Sequence, residues 1–178
     1  MPAVYREENN QYELDCTAAV WSTDGIHNCY QNSLQHYGKI NFLCDVDFVI
    51  ENETNILLVE YKNANIPGAA HPERFNPIGG DKLKNVAHKF FDSLHWLYLV
   101  GKDKPRKYIY ILEYPNGNSV SRLLVRNELK ERLPFKMQAS LSGSQRKLID
   151  EIRVVDIAEW NADAELGRYP IRPVNLAP

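Results

Sequence analysis

Cysteine is scarce in this chain: Cys16, Cys29 and Cys44 are odd in number and show no paired spacing, which argues against a disulfide framework and for a reducing, cytoplasmic setting. His27 and Cys29 lack the CxxC or HxxxH partner that a zinc motif calls for. No apolar run approaches bilayer-spanning length, and the opening residues MPAVYREENN are too polar for a signal peptide. Internal repeats and low-complexity tracts are missing too. These gaps exclude secreted disulfide scaffolds, membrane spans and repeat arrays. With 178 residues, 44% of them hydrophobic, the chain can bury a core without staples, most simply as one domain over residues 1–178.

Net charge is also small, at −2, but it is unevenly spread. Residues 1–60 carry a net −8, residues 82–107 a net +5 and residues 121–153 a net +4. An acidic pole attracts cations and basic segments attract phosphates.

The richest stretch is Cys44 to Asn63, CDVDFVIENETNILLVEYKN. Phe42, Cys44, Val46, Phe48 and Ile50 alternate with Asp45, Asp47 and Glu51, the period of a strand with one apolar and one polar face. Glu51 to Asn55 supply turn chemistry. Ile56 to Val59 are apolar throughout, as in a central strand, yet the strand runs on into Glu60-Tyr61-Lys62. Glu60 and Lys62 share one face and Tyr61 takes the other. A turn symmetric about Glu53 and Thr54 sets Glu60 across from Asp47 and Lys62 across from Asp45. Three carboxylates and an ammonium then meet at the edge of a buried sheet. Buried charge is costly unless paired or metal-bound, and neighbouring carboxylates raise each other's pKa. A hard divalent cation, Mg²⁺ with Mn²⁺ as substitute, relieves the repulsion and brings water and a phosphate oxygen into its shell. Lys62 beside that water points to phosphodiester hydrolysis.

Asp47 followed thirteen residues later by Glu60-Tyr61-Lys62, at the end of a hydrophobic strand, resembles the PD-(D/E)XK nuclease superfamily. The resemblance implies an α/β fold with a restriction-endonuclease-like α-β-β-β-α-β core, a mixed central sheet flanked by helices, over about 26–114, with a C-terminal α/β extension over 115–178. It implies that Asp47 and Glu60 hold Mg²⁺, that the Tyr61 carbonyl adds a ligand, that Asp45 assists and that Lys62 serves the attacking water. DNA is the implied substrate, and two-strand cleavage favours a homodimer. Val46 stands where the family often has Pro, which leaves open whether Asp45 or Asp47 is the main ligand. The family also often places a Glu on a preceding helix, whereas residues 26–37 contain no acid, and Gln31, Gln35 or Glu13 are its substitutes. A second [DE]-x-K triplet, Glu128-Leu129-Lys130, lies in a polar helical pattern and reads as a solvated face.

Around this hairpin, Ile26, Cys29, Tyr30, Leu34 and Tyr37 recur at helical spacing, Gly38 stops that helix, and Lys39–Phe42 supplies the first core strand. Residues 63–80 form no regular element and hold His71, Arg74 and Phe75 as candidate substrate contacts. From Asp81 a strong helix begins, with Leu83, Val86, Ala87, Phe90, Phe91, Leu94, Leu97 and Tyr98 as its apolar stripe, Lys82, Lys89 and Asp92 outside, and Lys84 and His88 on a flank. Arg74, Lys82, Lys84 and His88 are the candidate substrate-binding set. Lys107–Tyr114 reads as a strand, Val120–Val125 as another, Asn127–Leu133 and Gln145–Ile152 as helices, and Arg153–Ile157 as a last strand. The alternative function is a catalytically inactive module of the same fold that binds nucleic acid or a protein.

Overall fold

The computed structural model describes residues 3–34, 43–66, 71–141, 143 and 146–174. Its centre is a five-stranded mixed sheet in the order β3 (Trp21–Thr23), β4 (Phe48–Glu51), β5 (Ile56–Asn63), β6 (Arg106–Glu113) and β7 (Glu151–Val155). The first three strands are antiparallel neighbours, and β6 and β7 run parallel to β5. A second, antiparallel sheet joins β1 (Val4–Arg6), β2 (Tyr12–Asp15) and β8 (Ile171–Pro173). The chain is thus mixed α/β with helices flanking a mixed sheet. Among the described residues no helix is long and apolar enough to cross a membrane.

The central strands are apolar on both faces, and each face has its own cover. Ile56, Leu58, Tyr108, Tyr110 and Leu112 pack under α1 (Ile26–Leu34), α2 (Lys82–Leu99) and α3 (Ser119–Lys130), through Ile26, Leu83, Val86, Phe90 and Val125. Leu57, Val59, Tyr61, Ile109 and Ile111 pack on the small sheet and α5 (Ile157–Ala162), with Leu14, Trp160, Tyr169 and Ile171 filling the gap. A short helix α4 (Phe135–Ser140) follows α3. Both faces therefore draw on residues before Ile26 and beyond Tyr114.

The helix from Asp81 and the strand from Lys107 form as the sequence predicts, α2 with Asp81 as its N-cap residue and β6 starting one residue earlier. Phe91 and Tyr98 of the expected stripe are exposed, and Ser93 is buried instead. Four expectations fail. Val120–Val125 is helical, because Asn118 and Ser121 form a reciprocal capping box and Arg122, Val125 and Leu129 then align on one buried face. Among the described residues the helix expected over Gln145–Ile152 is absent: residues 146–150 are irregular, and the Gln138 side chain accepts from Leu148 N–H (3.0 Å) and Ile149 N–H (3.2 Å) and donates to the Ile149 carbonyl (2.7 Å). The final strand accordingly starts at Glu151 and ends at Val155, and Ile157 opens α5. The acidic strand is also shorter than expected, starting at Phe48. Gln35, Tyr37, Gly38 and the strand at Lys39–Phe42 lie outside the described residues, and β3, which precedes α1, pairs with β4.

Candidate functional site

The β4–β5 hairpin closes on Asn52, whose side chain accepts from the N–H groups of Thr54 (2.9 Å) and Asn55 (2.7 Å). That turn fixes the register: Phe48 pairs with Val59 and Glu51 with Ile56. One step outward, Asp47 and Glu60 come together on the α2 side of the sheet. Asp47 Oδ2 accepts from the Tyr61 backbone N–H at 2.7 Å, so its carboxylate is anchored at the strand edge. Glu60 is buried, and both of its oxygens accept from Lys89 Nζ, at 2.8 and 2.9 Å. The same ammonium lies 3.9 Å from Asp47 Oδ1.

The helical pattern puts Lys89 on the outer face of α2, and the structure corrects this. It stands three residues after Val86 and four before Ser93, both buried, so it shares the sheet-facing side of α2. The sign is structural and not in the helical pattern: the buried Glu60 needs a cation at its own depth.

The chain before Asp47 does not continue the strand. Cys44 N–H donates to Asp92 Oδ2 at 2.8 Å and Val46 N–H donates to Ser93 Oγ at 3.0 Å, which draws residues 44–46 off the sheet and onto α2. The Tyr30 hydroxyl bonds the Asp92 carbonyl at 2.6 Å and ties α1 to the same place. Asp45 is thereby turned toward α1, its Oδ1 3.3 Å from His27 Nδ1. Lys62 has no Asp45 opposite it as a result.

Asp45, Asp47 and Lys89 line a depression of about 560 Å³, together with His27 and Gln31 of α1 and Glu8 of the β1–β2 turn. The neighbouring Glu7 is occupied structurally, accepting from the N–H groups of Asn9, Gln11 and Tyr12. Of the three substitutes for a helix acid, Gln31 reaches this depression, Glu13 sits in β2 away from it, and Gln35 lies outside the described residues. Glu8 contributes an acid that sequence spacing does not single out.

Electrostatics set this cluster apart. Burial pushes Asp45 above the ordinary carboxylate range, against the pull of His27. Burial likewise raises Asp47, against Lys89 and the Tyr61 N–H. Glu60 is driven well above its ordinary value by burial and by the charge of Asp47. Burial works to lower Lys89, but Glu60 and Asp47 outweigh it and keep the amine protonated. Elsewhere in the sheet Glu51 is buried too, yet Lys102 and Lys104 both contact it and hold it below the ordinary range. One carboxylate there has two cations in contact, whereas here Asp47 and Glu60 share Lys89, Asp45 faces His27, and Arg6 lines the depression without an ion pair to any of the three.

The other predicted residues fall in two places. Lys62, Arg74 and Lys82 line a second depression of about 400 Å³ with His71, next to the end of β5. Lys62 is exposed and makes no ion pair with another described residue. Lys82 donates to the Asn76 carbonyl at 2.8 Å and lies over the Phe75 ring. Lys84 and His88 line a separate depression on the outer side of α2 with Phe91 and Arg132. Tyr61 turns its ring to the opposite face of the sheet, where its hydroxyl accepts from Asn63 Nδ2 at 3.3 Å, so only its backbone belongs to the Asp47 cluster.

No family model, curated protein or solved structure matches this chain. Geometry alone therefore carries the functional reading.

Proposed function

We propose that the protein is a Mg²⁺-dependent nuclease of the PD-(D/E)XK type, cleaving DNA phosphodiesters at the Asp45, Asp47 and Glu60 cluster. The observation that carries this reading is the shortage of paired positive charge there: three carboxylates with raised proton affinity have one ammonium in contact, while Arg6 lines the depression without an ion pair to any of them. Hard oxygen donors at a depression suit a small dication. Asp47 and Glu60 would hold it, with Asp45 beside them. A bound Mg²⁺ supplies an activated water and neutralises phosphate charge. The protein groups do the rest. Asp47, held by the Tyr61 N–H, keeps a fixed orientation. Lys89 stays protonated and so acts as a fixed positive charge that offsets charge developing on the phosphate, not as a base. Lys62, two residues and roughly 7 Å further along the same strand face, joins Arg74 and Lys82 in a basic depression suited to the flanking backbone. The succession of α1, β4, β5, α2 and the parallel β6 supports the later part of the α-β-β-β-α-β assignment, whereas the strand beside β4 is β3, which precedes α1.

Lys89→Met should lower the cleavage rate at least about a hundredfold, the scale of removing one preorganised charge. Lys62→Ala should mainly weaken DNA binding, and the reverse pattern would return the catalytic role to Lys62. One observation favours a second reading. The ammonium of Lys89 already occupies both oxygens of Glu60, as it would in an inactive module where a lysine replaces the metal. Calorimetric Mn²⁺ binding that disappears in Asp47→Asn supports the nuclease, and no binding supports the module.

A further inference from the structure

Beside the carboxylate cluster, whose depression Cys44 also lines, three side chains of different chemistry converge. Cys44 Sγ, a ring nitrogen of His88 and a carboxylate oxygen of Asp92 all lie within 4.8 Å of one another. Cys44 Sγ is 3.5 Å from Asp92 Oδ2, and His88 Nε2 is also 3.5 Å from it. We propose that these residues form a zinc-type metal site that clamps the Cys44–Val46 segment to α2. A tetrahedral ion bound to sulfur at about 2.3 Å and to nitrogen or oxygen at about 2.0 Å separates its donors by roughly 3.3 to 3.5 Å. Two of the three separations already have that value.

The donor set decides which ion fits. A thiolate and an imidazole are poor ligands for Mg²⁺ and good ones for Zn²⁺ or Co²⁺. Thiolate and carboxylate together carry the two negative charges that a dication requires, and the thiol gives up its proton on binding. The frame is preset. His88 and Asp92 stand one turn apart on α2, and the Cys44 N–H holds Asp92 Oδ2 at 2.8 Å. His88 is 54% exposed, which leaves the fourth position to water. The site takes no ligand from the neighbouring hard-oxygen cluster, although Cys44 also lines that depression, and it stands whether or not that cluster is a nuclease centre. Its effect would be mechanical: the segment it clamps leads directly into Asp45 and Asp47.

Cobalt titration of the purified, metal-free full chain tests this, because Co²⁺ takes the ligands of zinc and a cobalt-thiolate bond gives a charge-transfer absorption in the near ultraviolet. The expected result is a band that saturates at one equivalent, disappears in Cys44→Ser, persists in Cys29→Ser and Asp47→Asn, and is displaced by Zn²⁺ with a rise in Tm. His88→Ala should weaken cobalt binding by at least about tenfold, since even outer partners of metal ligands are worth that much. His88 is half-exposed and its substitution leaves the core intact, so this variant decides the matter even if Cys44→Ser misfolds. Absence of a thiolate band, a band that survives Cys44→Ser, or unchanged affinity in His88→Ala would overturn the assignment.

Discussion

Glu60, Asp47 and Lys89 form a set in which each member's state depends on the others. The buried Glu60 has its charge answered by Lys89, while Asp47 has the Tyr61 N–H and only a distant share of the same ammonium. Because Asp45, Asp47 and Glu60 all bind protons more tightly in the fold than in the unfolded chain, each favours the fold most when protonated. That contribution fades as pH rises through the raised values. Without divalent metal, Asp47→Asn should therefore be the more stable protein at neutral pH, by a few tenths to about 1 kcal/mol for one relieved like-charge contact at a part-exposed site. Thermal unfolding in chelator should show this gap closing as the pH falls toward about 4, the ordinary carboxylate range. A gap independent of pH would mean that the Asp47 carboxyl is not under strain. The opposition of Asp47 and Glu60 is legible in the sequence, since a turn centred on Glu53 and Thr54 fixes it. Lys89 is not, because a lysine within a helix reads as solvated until the neighbouring sheet is known to bury a carboxylate against it.

At the scale of elements, α2 sets the geometry of the site. Its Asp92 and Ser93 take the N–H groups of Cys44 and Val46 and pull the chain out of the sheet just before Asp47. Ser93 is fully buried, so Ser93→Ala leaves the Val46 N–H without its partner and should cost about 1 to 3 kcal/mol. Urea unfolding would measure that loss, and a change below about 0.5 kcal/mol would show that the segment is held by other contacts. The long elements are legible: α2 by its apolar stripe, β5 and β6 by their unbroken hydrophobic runs. The misreadings fall where a side chain competes with the backbone pattern. Val120 to Val125 has strand-like composition, yet Val120, Leu123 and Leu124 are exposed and a capping box starts a helix. Residues 146–150 carry a helical pattern, yet Gln138 holds the backbone there. The strands β1, β2 and β3, of three or four residues each, are too short to show a period.

Across the whole molecule, much of the basic charge that suggests a nucleic-acid partner is consumed internally. Lys102 and Lys104 serve Glu51, Lys107 serves Glu165, Arg122 serves Glu159 and Asp156, and Arg153 serves Asp163. The depression of Lys62, Arg74 and Lys82 remains as a basic surface next to the carboxylates, and uneven charge along the sequence does not separate it from the paired residues. Replacing all three by Ala should reduce the slope of log binding constant against log salt by roughly 2 to 3 for duplex DNA, about 0.9 for each phosphate no longer neutralised. An unchanged slope would place the DNA elsewhere. The nuclease reading depends on Asp47 and Glu60 working together on a cation. Its most direct test is incubation of purified protein with plasmid, linear, single-stranded and four-way DNA, in Mg²⁺ and in Mn²⁺, beside Asp47→Asn. Metal-dependent cleavage of at least one DNA form by the wild type and none by the variant is the predicted result; no cleavage of any form, or equal cleavage by Asp47→Asn, would contradict it.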